Sequence, residues 1–191
     1  TYLYHARERL IQVVAPDGTS ISYTYDPVGN RTSLSAPSGT TGFTYDALNR
    51  LTSVTEPGGG ITNYSYDTVS NLLQMSYPNG TQVERSYDSV NRLISIENKR
   101  TDNTVLSRFS YSLGPSGNRL QVNDQTGRTV AYGYDSLYRL IGEAITDPIR
   151  GNRTLAYTYD GAGNRLTKTD SAAGLTTYVY DKNDRLTSEN G

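Results

Sequence analysis

Seven carboxylates recur in this sequence at one fixed place. Asp26, Asp46, Asp67, Asp88, Asp135, Asp160 and Asp181 each follow a tyrosine (Tyr25, Tyr45, Tyr66, Tyr87, Tyr134, Tyr159 and Tyr180), and arginines follow most of them: Arg31, Arg50, Arg92, Arg139, Arg165 and Arg185. Carboxylates in contrasting surroundings run general acid–base chemistry, and rows of arginine bind anionic polymers. The fixed spacing points elsewhere. An Asp one residue beyond the end of a strand is placed to accept the backbone N–H groups of its own turn, and an Arg just after it is placed to neutralise it across the hairpin. His5 is the only histidine and stands where Asp stands in other copies, so a Ser-His-Asp triad is not expected. With no cysteine, zinc would need carboxylates alone. Asp17, Asp102, Asn103 and Asp124 fall in turns, but none has the loop spacing of a calcium site. The sequence therefore predicts no enzyme, no cofactor and no metal.

The elements that hold these residues are strands. Tyr-Asp returns every 20 to 25 residues, with degenerate copies at Tyr4-His5 and Tyr111-Ser112, which makes nine units. Two residues before each motif tyrosine stands another aromatic (Tyr2, Tyr23, Phe43, Tyr64, Phe109, Tyr132, Tyr157, Tyr178), with Arg85 as the exception. Spacing by two marks one face of a strand. Thr24, Thr44, Ser65, Ser110, Thr158 and Val179 lie between and suit the opposite face. After Tyr-Asp the copies read as two alternating turn lengths, a short one closed by Asn49-Arg50 or Asn91-Arg92 and one a residue longer closed by Gly29-Asn30-Arg31 or Gly163-Asn164-Arg165. Both match type I turns ending in a left-handed residue. About ten residues on, Pro16-Asp17-Gly18, Pro37-Ser38-Gly39, Pro57-Gly58-Gly59 and Pro78-Asn79-Gly80 mark a second turn. The return strand between turns opens with leucine: Leu10, Leu51, Leu93, Leu120, Leu140, Leu166 and Leu186. Nine units thus predict about eighteen strands. Each motif tyrosine is expected to pack against its equivalents in neighbouring units.

Composition narrows the partners. The net charge is −1, with 18 basic and 19 acidic residues, which provides no field for nucleic acid and no patch for anionic lipid. No apolar run is long enough to span a bilayer as a helix. Tyrosine supplies 17 positions against Phe 2 and Trp 0, so the core should be thin and partly polar. The tyrosine rows have two readings, a packed stack and an exposed platform for sugars; their regularity favours the stack, because aligned rows give favourable cross-strand pairs. Asn30, Asn63, Asn79 and Asn152 lie in glycosylation sequons, and their use is left open.

The string Tyr157-Thr158-Tyr159-Asp160-Gly161-Ala162-Gly163-Asn164-Arg165-Leu166 resembles the YD repeats of Rhs proteins, teneurins and insecticidal toxin-complex shell subunits, and the likeness covers essentially the whole chain. The resemblance implies an all-β fold of tandem antiparallel β-hairpins of about 21 residues in a curved or spiralling strip, a bacterial host, and a secreted or cell-surface location. Residues 1–191 are expected to form a single array of nine units, truncated at both ends, whose first and last strands pair with another chain or lie at breaks in a longer array. Three functions stay open: part of a shell or casing, an adhesion or carbohydrate-binding module, or a subunit of a fibre. The implied partners are further YD repeats of the same or neighbouring chains, an encapsulated effector or a glycan.

Overall fold

Alternation of aromatic and hydroxyl residues, cut at intervals by Asp- and Pro-initiated turns, leaves the chain no run in which a helix could bury a face. The computed structural model, which describes residues 1–191, contains eighteen strands and no helix. They are β1 (Tyr2–Tyr4), β2 (Leu10–Val14), β3 (Ser20–Tyr25), β4 (Arg31–Ala36), β5 (Gly39–Tyr45), β6 (Leu51–Thr55), β7 (Ile61–Tyr66), β8 (Leu72–Ser76), β9 (Thr81–Tyr87), β10 (Leu93–Arg100), β11 (Val105–Leu113), β12 (Arg119–Asp124), β13 (Thr129–Tyr134), β14 (Leu140–Thr146), β15 (Arg153–Tyr159), β16 (Arg165–Asp170), β17 (Gly174–Tyr180) and β18 (Leu186–Asn190). The chain divides into two units, Thr1–Arg85 with Asn98–Leu106, and Ser86–Glu97 with Ser107–Gly191.

In the first unit β1 to β9 form antiparallel pairs, each strand with the next in sequence. The register puts Val13 opposite Ile21, Tyr23 opposite Leu34, Phe43 opposite Val54, and Tyr64 opposite Met75. The other face is hydroxyl and amide: Thr24 opposite Ser33, Thr44 opposite Ser53, Ser53 opposite Asn63. Thr44 Oγ1 shares hydrogen bonds with both Thr52 and Ser53, so even the solvent side has cross-strand ties.

The second unit repeats this from β11 to β18. Its tyrosine face carries charges. Tyr132 lies opposite Glu143, Tyr157 opposite Lys168, and Leu155 opposite Asp170. Val130, Leu155 and Tyr178 are the buried hydrophobic residues of the chain, and no large side chain is wholly enclosed. The expected thin core is what the tyrosine-rich composition builds.

A bulge closes every described Tyr-Asp hairpin. Each motif tyrosine pairs with the residue six positions later while its predecessor pairs nine positions on, as at Tyr45↔Leu51 and Thr44↔Ser53, which leaves one residue of the return strand unmatched. Tyr25↔Arg31 and Tyr159↔Arg165 show the same count. This corrects the reading of two turn lengths. All the Tyr-Asp turns have one length, and the extra residue in Gly-Asn-Arg moves the arginine out of the turn and into the strand. Consequently Arg119 and Arg165, not Leu120 and Leu166, open their return strands. The copy at Tyr111-Ser112 is also displaced. Leu113 pairs with Arg119 and the Gly114 N–H bonds to Asn118 O at 2.8 Å, so Leu113-Gly114 fill the Tyr-Asp slot and Tyr111 takes the aromatic place two residues earlier.

Candidate functional site

The recurring site is the turn itself. In the third repeat the Asp46 N–H donates to Arg50 O at 3.0 Å, the Asn49 N–H donates to Asp46 O at 3.0 Å, and Asn49 takes a left-handed φ of 60°. The carboxylate completes the ring. Its Oδ1 accepts the N–H groups of Leu48 (2.9 Å) and Arg50 (3.0 Å), and its Oδ2 accepts Arg50 Nε at 2.7 Å. Asp88 with Arg92, Asp135 with Arg139, and Asp181 with Arg185 repeat the arrangement, with Nε bonds of 2.7, 2.6 and 2.8 Å. Arg and Asp therefore pair within one turn rather than across the hairpin.

In the alternate repeats asparagine replaces arginine at the closing position. Asp26 Oδ2 accepts Asn30 Nδ2 at 2.9 Å, Asp67 accepts Asn71 at 2.8 Å, and Asp160 accepts Asn164 at 3.0 Å. Gly29 and Gly163 supply the positive φ. A Cβ at Gly29 would also run into the guanidinium of Arg9 from the preceding repeat. In the first repeat His5 Nδ1 takes the Asp role and accepts the Arg7 N–H at 2.8 Å.

These bonds hold the carboxyls below their ordinary value of 3.8. For Asp46, Asp88 and Asp135 the largest cause is the N–H of the closing arginine. For Asp160 and Asp181 it is the side chain of Asn164 or Arg185. For Asp26 and Asp67 the largest influence is desolvation, which raises the pKa, and it is outweighed by the hydrogen bonds from Asn30 or Asn71 together with the other N–H groups of the turn and, at Asp67, the charge of Arg50. A carboxylate saturated in this way stays an anion and has no proton to give.

Each turn is then tied to the next. Arg50 Nη1 donates to Asp67 O at 2.9 Å, Arg139 Nη1 to Asp160 O at 3.1 Å, and Arg92 Nη1 to Gly114 O at 2.7 Å. Asn30 Nδ2 reaches Asn49 Oδ1, and Asn164 Nδ2 reaches Asp184 Oδ1, both at 2.8 Å. The motif tyrosines form a second set of ties. Tyr25 OH donates to Leu10 O (2.8 Å), Tyr45 to Arg31 O (3.0 Å), Tyr66 to Leu51 O (3.0 Å), Tyr134 to Arg119 O (2.8 Å), Tyr159 to Leu140 O (2.6 Å) and Tyr180 to Arg165 O (3.1 Å). Each bond reaches the return strand of the repeat before it.

Arginines also lie over the rings. Arg50 sits 4.7 Å from the centroid of Tyr66 and Arg139 5.0 Å from that of Tyr159. From its strand-opening position, Arg31 covers Phe43 at 4.8 Å and Arg165 covers Tyr178 at 4.3 Å. The expected stack of tyrosine on tyrosine is thus a tyrosine–arginine alternation. Tyr25, Tyr45, Tyr66 and Tyr159 are half-buried, whereas Thr24, Thr44, Ser65 and Thr158 are exposed. Sequence reasoning missed the tyrosine-to-carbonyl bonds. Their signal is the offset between the motif tyrosine and the residue whose carbonyl it reaches, 14 or 15 residues in five of the six bonds and 19 for Tyr159, where the loop before it is longer.

Beyond these turns, Tyr157 OH donates to Glu143 Oε1 at 2.6 Å, and burial first, then this bond, raises the phenol's pKa. No group of three or more His, Cys, Asp or Glu side chains gathers as a metal set.

Known proteins agree with this architecture. The chain is similar to the crystal structure of TcdB2-TccC3-Cdc42 at 23% identity and TM-score 0.72, with 90% of this chain and 10% of that one covered. It is similar to TcdB2-TccC3 without the hypervariable C-terminal region at 21% and 0.74, covering 91% and 10%. It is also similar to the Photorhabdus luminescens Tc holotoxin pore at 22% and 0.73, again covering 91% and 10%. The chain therefore spans about a tenth of the length of these solved relatives, and the likeness is one of fold. Among curated proteins none matches. The Teneurin YD-shell family model matches residues 1–116, well over half of a chain whose Tyr-Asp turns continue in the same geometry to Asp181, and this protein belongs to the Teneurin YD-shell family of YD-repeat proteins.

Proposed function

We propose that this chain is a stretch of wall in a shell or casing, its nine repeats acting as one continuous array within a secreted or cell-surface Rhs-like protein of bacteria. The observation that carries the reading is where the motif's polar groups go. Asp26, Asp46, Asp67, Asp88, Asp135, Asp160 and Asp181 are engaged by their own turns, and Asn30, Arg50, Arg92, Arg139 and Asn164 are engaged by the next. Such residues build rather than react, and the role is that of a scaffold. The partners that suit it are further repeats and, on the enclosed side, an effector. A sugar platform needs uncovered rings with free hydroxyls, whereas Tyr66 and Tyr159 lie under arginines and donate their hydroxyls to backbone carbonyls.

Cryo-electron microscopy of the longest natural protein containing this segment tests the reading. Strands 4.8 Å apart forming the wall of a closed compartment are the expected result. A segment projecting freely from the particle would refute it, and glycan binding by the isolated chain that is lost in Tyr66→Ala would favour adhesion instead.

A further inference from the structure

Along the Tyr-Asp rim of the strands, five turns are closed by arginine: Arg9, Arg50, Arg92, Arg139 and Arg185. In the last four the arginine is held by the aspartate that opens its turn, whose oxygens accept both its N–H and its Nε. Arg9 is the exception. His5 stands in the aspartate's place, and its Nδ1 is already taken by the Arg7 N–H at 2.8 Å. An imidazole has one accepting nitrogen, so the Arg9 N–H and Nε find no acceptor in the chain. The nearby acids do not replace it. Asp26 is engaged by the Gly29 and Asn30 N–H groups and by Asn30 Nδ2, and Glu8, exposed with a φ of 58°, pairs with neither Arg7 nor Arg9.

Without a carboxylate the guanidinium is held less closely. Arg9 Nη1 lies 3.4 Å from Asp26 O, where Arg50 and Arg139 lie 2.9 and 3.1 Å from the matching carbonyls. It also lies 5.7 Å from the Tyr25 centroid, against 4.7 Å for Arg50 at Tyr66 and 5.0 Å for Arg139 at Tyr159. Beside it opens a cavity of about 450 Å³, lined by His5, Arg7, Arg9, Ile11, Tyr23 and Tyr25, with Asp26 also in its wall.

We infer that this cavity binds a small carboxylate with a flat apolar body, which supplies to Arg9 the charge that aspartate supplies to the other four arginines. The molecule itself shows which chemistry fits, because the same guanidinium in the same turn is met by a carboxylate at Asp46, Asp88, Asp135 and Asp181. Two further donors support the anion: Arg7, whose Nη1 bonds only to Pro27 O, and His5, whose accepting Nδ1 leaves the ring proton on Nε2. An ion pair alone is worth little in an open site. The apolar body is therefore required, and Ile11, Tyr23 and Tyr25 provide its wall. The volume falls within the range of about 300 to 1,000 Å³ common to small-molecule sites.

Sodium benzoate is the probe, added at constant ionic strength to the whole chain while its amide resonances are followed by NMR. Saturable shifts confined to residues 5–11 and 23–29 are expected, with benzamide, the uncharged isostere, at least about tenfold weaker. His5→Asp gives the first turn the carboxylate of the other four and should weaken benzoate about tenfold or more, with the remaining resonances unmoved. Arg9→Gln should do the same by removing the cation. Equal binding of benzoate and benzamide, undiminished binding of benzoate to His5→Asp, or shifts that do not saturate overturn the inference.

Discussion

Across the tyrosine face of the first unit, Val13 meets Ile21, Leu34 meets Tyr23, and Met75 meets Tyr64; across the same face of the second, Glu143 meets Tyr132, Lys168 meets Tyr157, and Asp170 meets Leu155. The turns of the two units are nonetheless alike. Asp46 with Arg50 and Asp135 with Arg139 have the same bonds to within about 0.1 Å. The difference teaches that register and repeat-to-repeat attachment come from the rim, through the aspartate ring, the arginine bridge and the tyrosine hydroxyl. Mid-strand positions are therefore free to be apolar or charged. Two of these charges have named partners: Asp170 Oδ2 pairs with Arg153 Nη2 at 2.8 Å, and Glu143 Oε1 accepts the Tyr157 hydroxyl at 2.6 Å.

The largest way to break this comparison is at one equivalent position. Tyr178, only 6% exposed and covered by Arg165, and Tyr64, half-buried, both stand two residues before a motif tyrosine. Tyr178→Ala should cost about 3–4 kcal/mol and Tyr64→Ala about 2, measured by denaturant unfolding. Equal costs would mean that burial along the strand does not follow the packing described. Next comes the rim itself. Tyr66→Phe and Tyr159→Phe each remove one hydroxyl-to-carbonyl bond and should cost about 1 kcal/mol in either unit. A loss in one unit only would show that the rim is not shared.

Acid sharpens the comparison further. A carboxyl whose pKa is lowered on folding contributes stability that is present above its ordinary value of 3.8 and is lost as pH falls through the lowered native value. Both units should therefore loosen below about pH 4. The second carries Asp124, Asp147 and Asp170 besides its Tyr-Asp aspartates, against Asp17 and Asp102 in the first, so its amides should lose exchange protection more steeply as the pH falls. Smallest of all is Thr44→Ala on the exposed face, expected to cost under about 0.5 kcal/mol.

Much of this was legible in the residues. Tyr-Asp spacing gave the repeat count, the alternation of Tyr23-Thr24-Tyr25 gave the strand and its faces, and Gly29 and Asn49 gave the left-handed positions. What misled was counting letters: Gly29-Asn30-Arg31 looks longer than Asn49-Arg50, yet the backbone ring ends at Asn30 in one and Arg50 in the other. The sixth repeat hid its slot because Leu113-Gly114 keeps the turn geometry with neither the ring nor the carboxylate. Burial of the tyrosines by arginine was invisible because the two meet from different repeats, as Arg50 and Tyr66 do.

Pairing of each strand with its predecessor, described for both units, bears on how the chain folds. Every such ladder closes over a few residues, so the contacts are local and the loop-closure entropy of each step is small. A hairpin can zip as soon as its turn has been synthesised, and its outer strand then serves as the template for the next. Growth of this kind runs like crystallisation on an existing face: a slow first hairpin, then fast addition in one direction, with tyrosine and arginine checking the register of each new layer against the last.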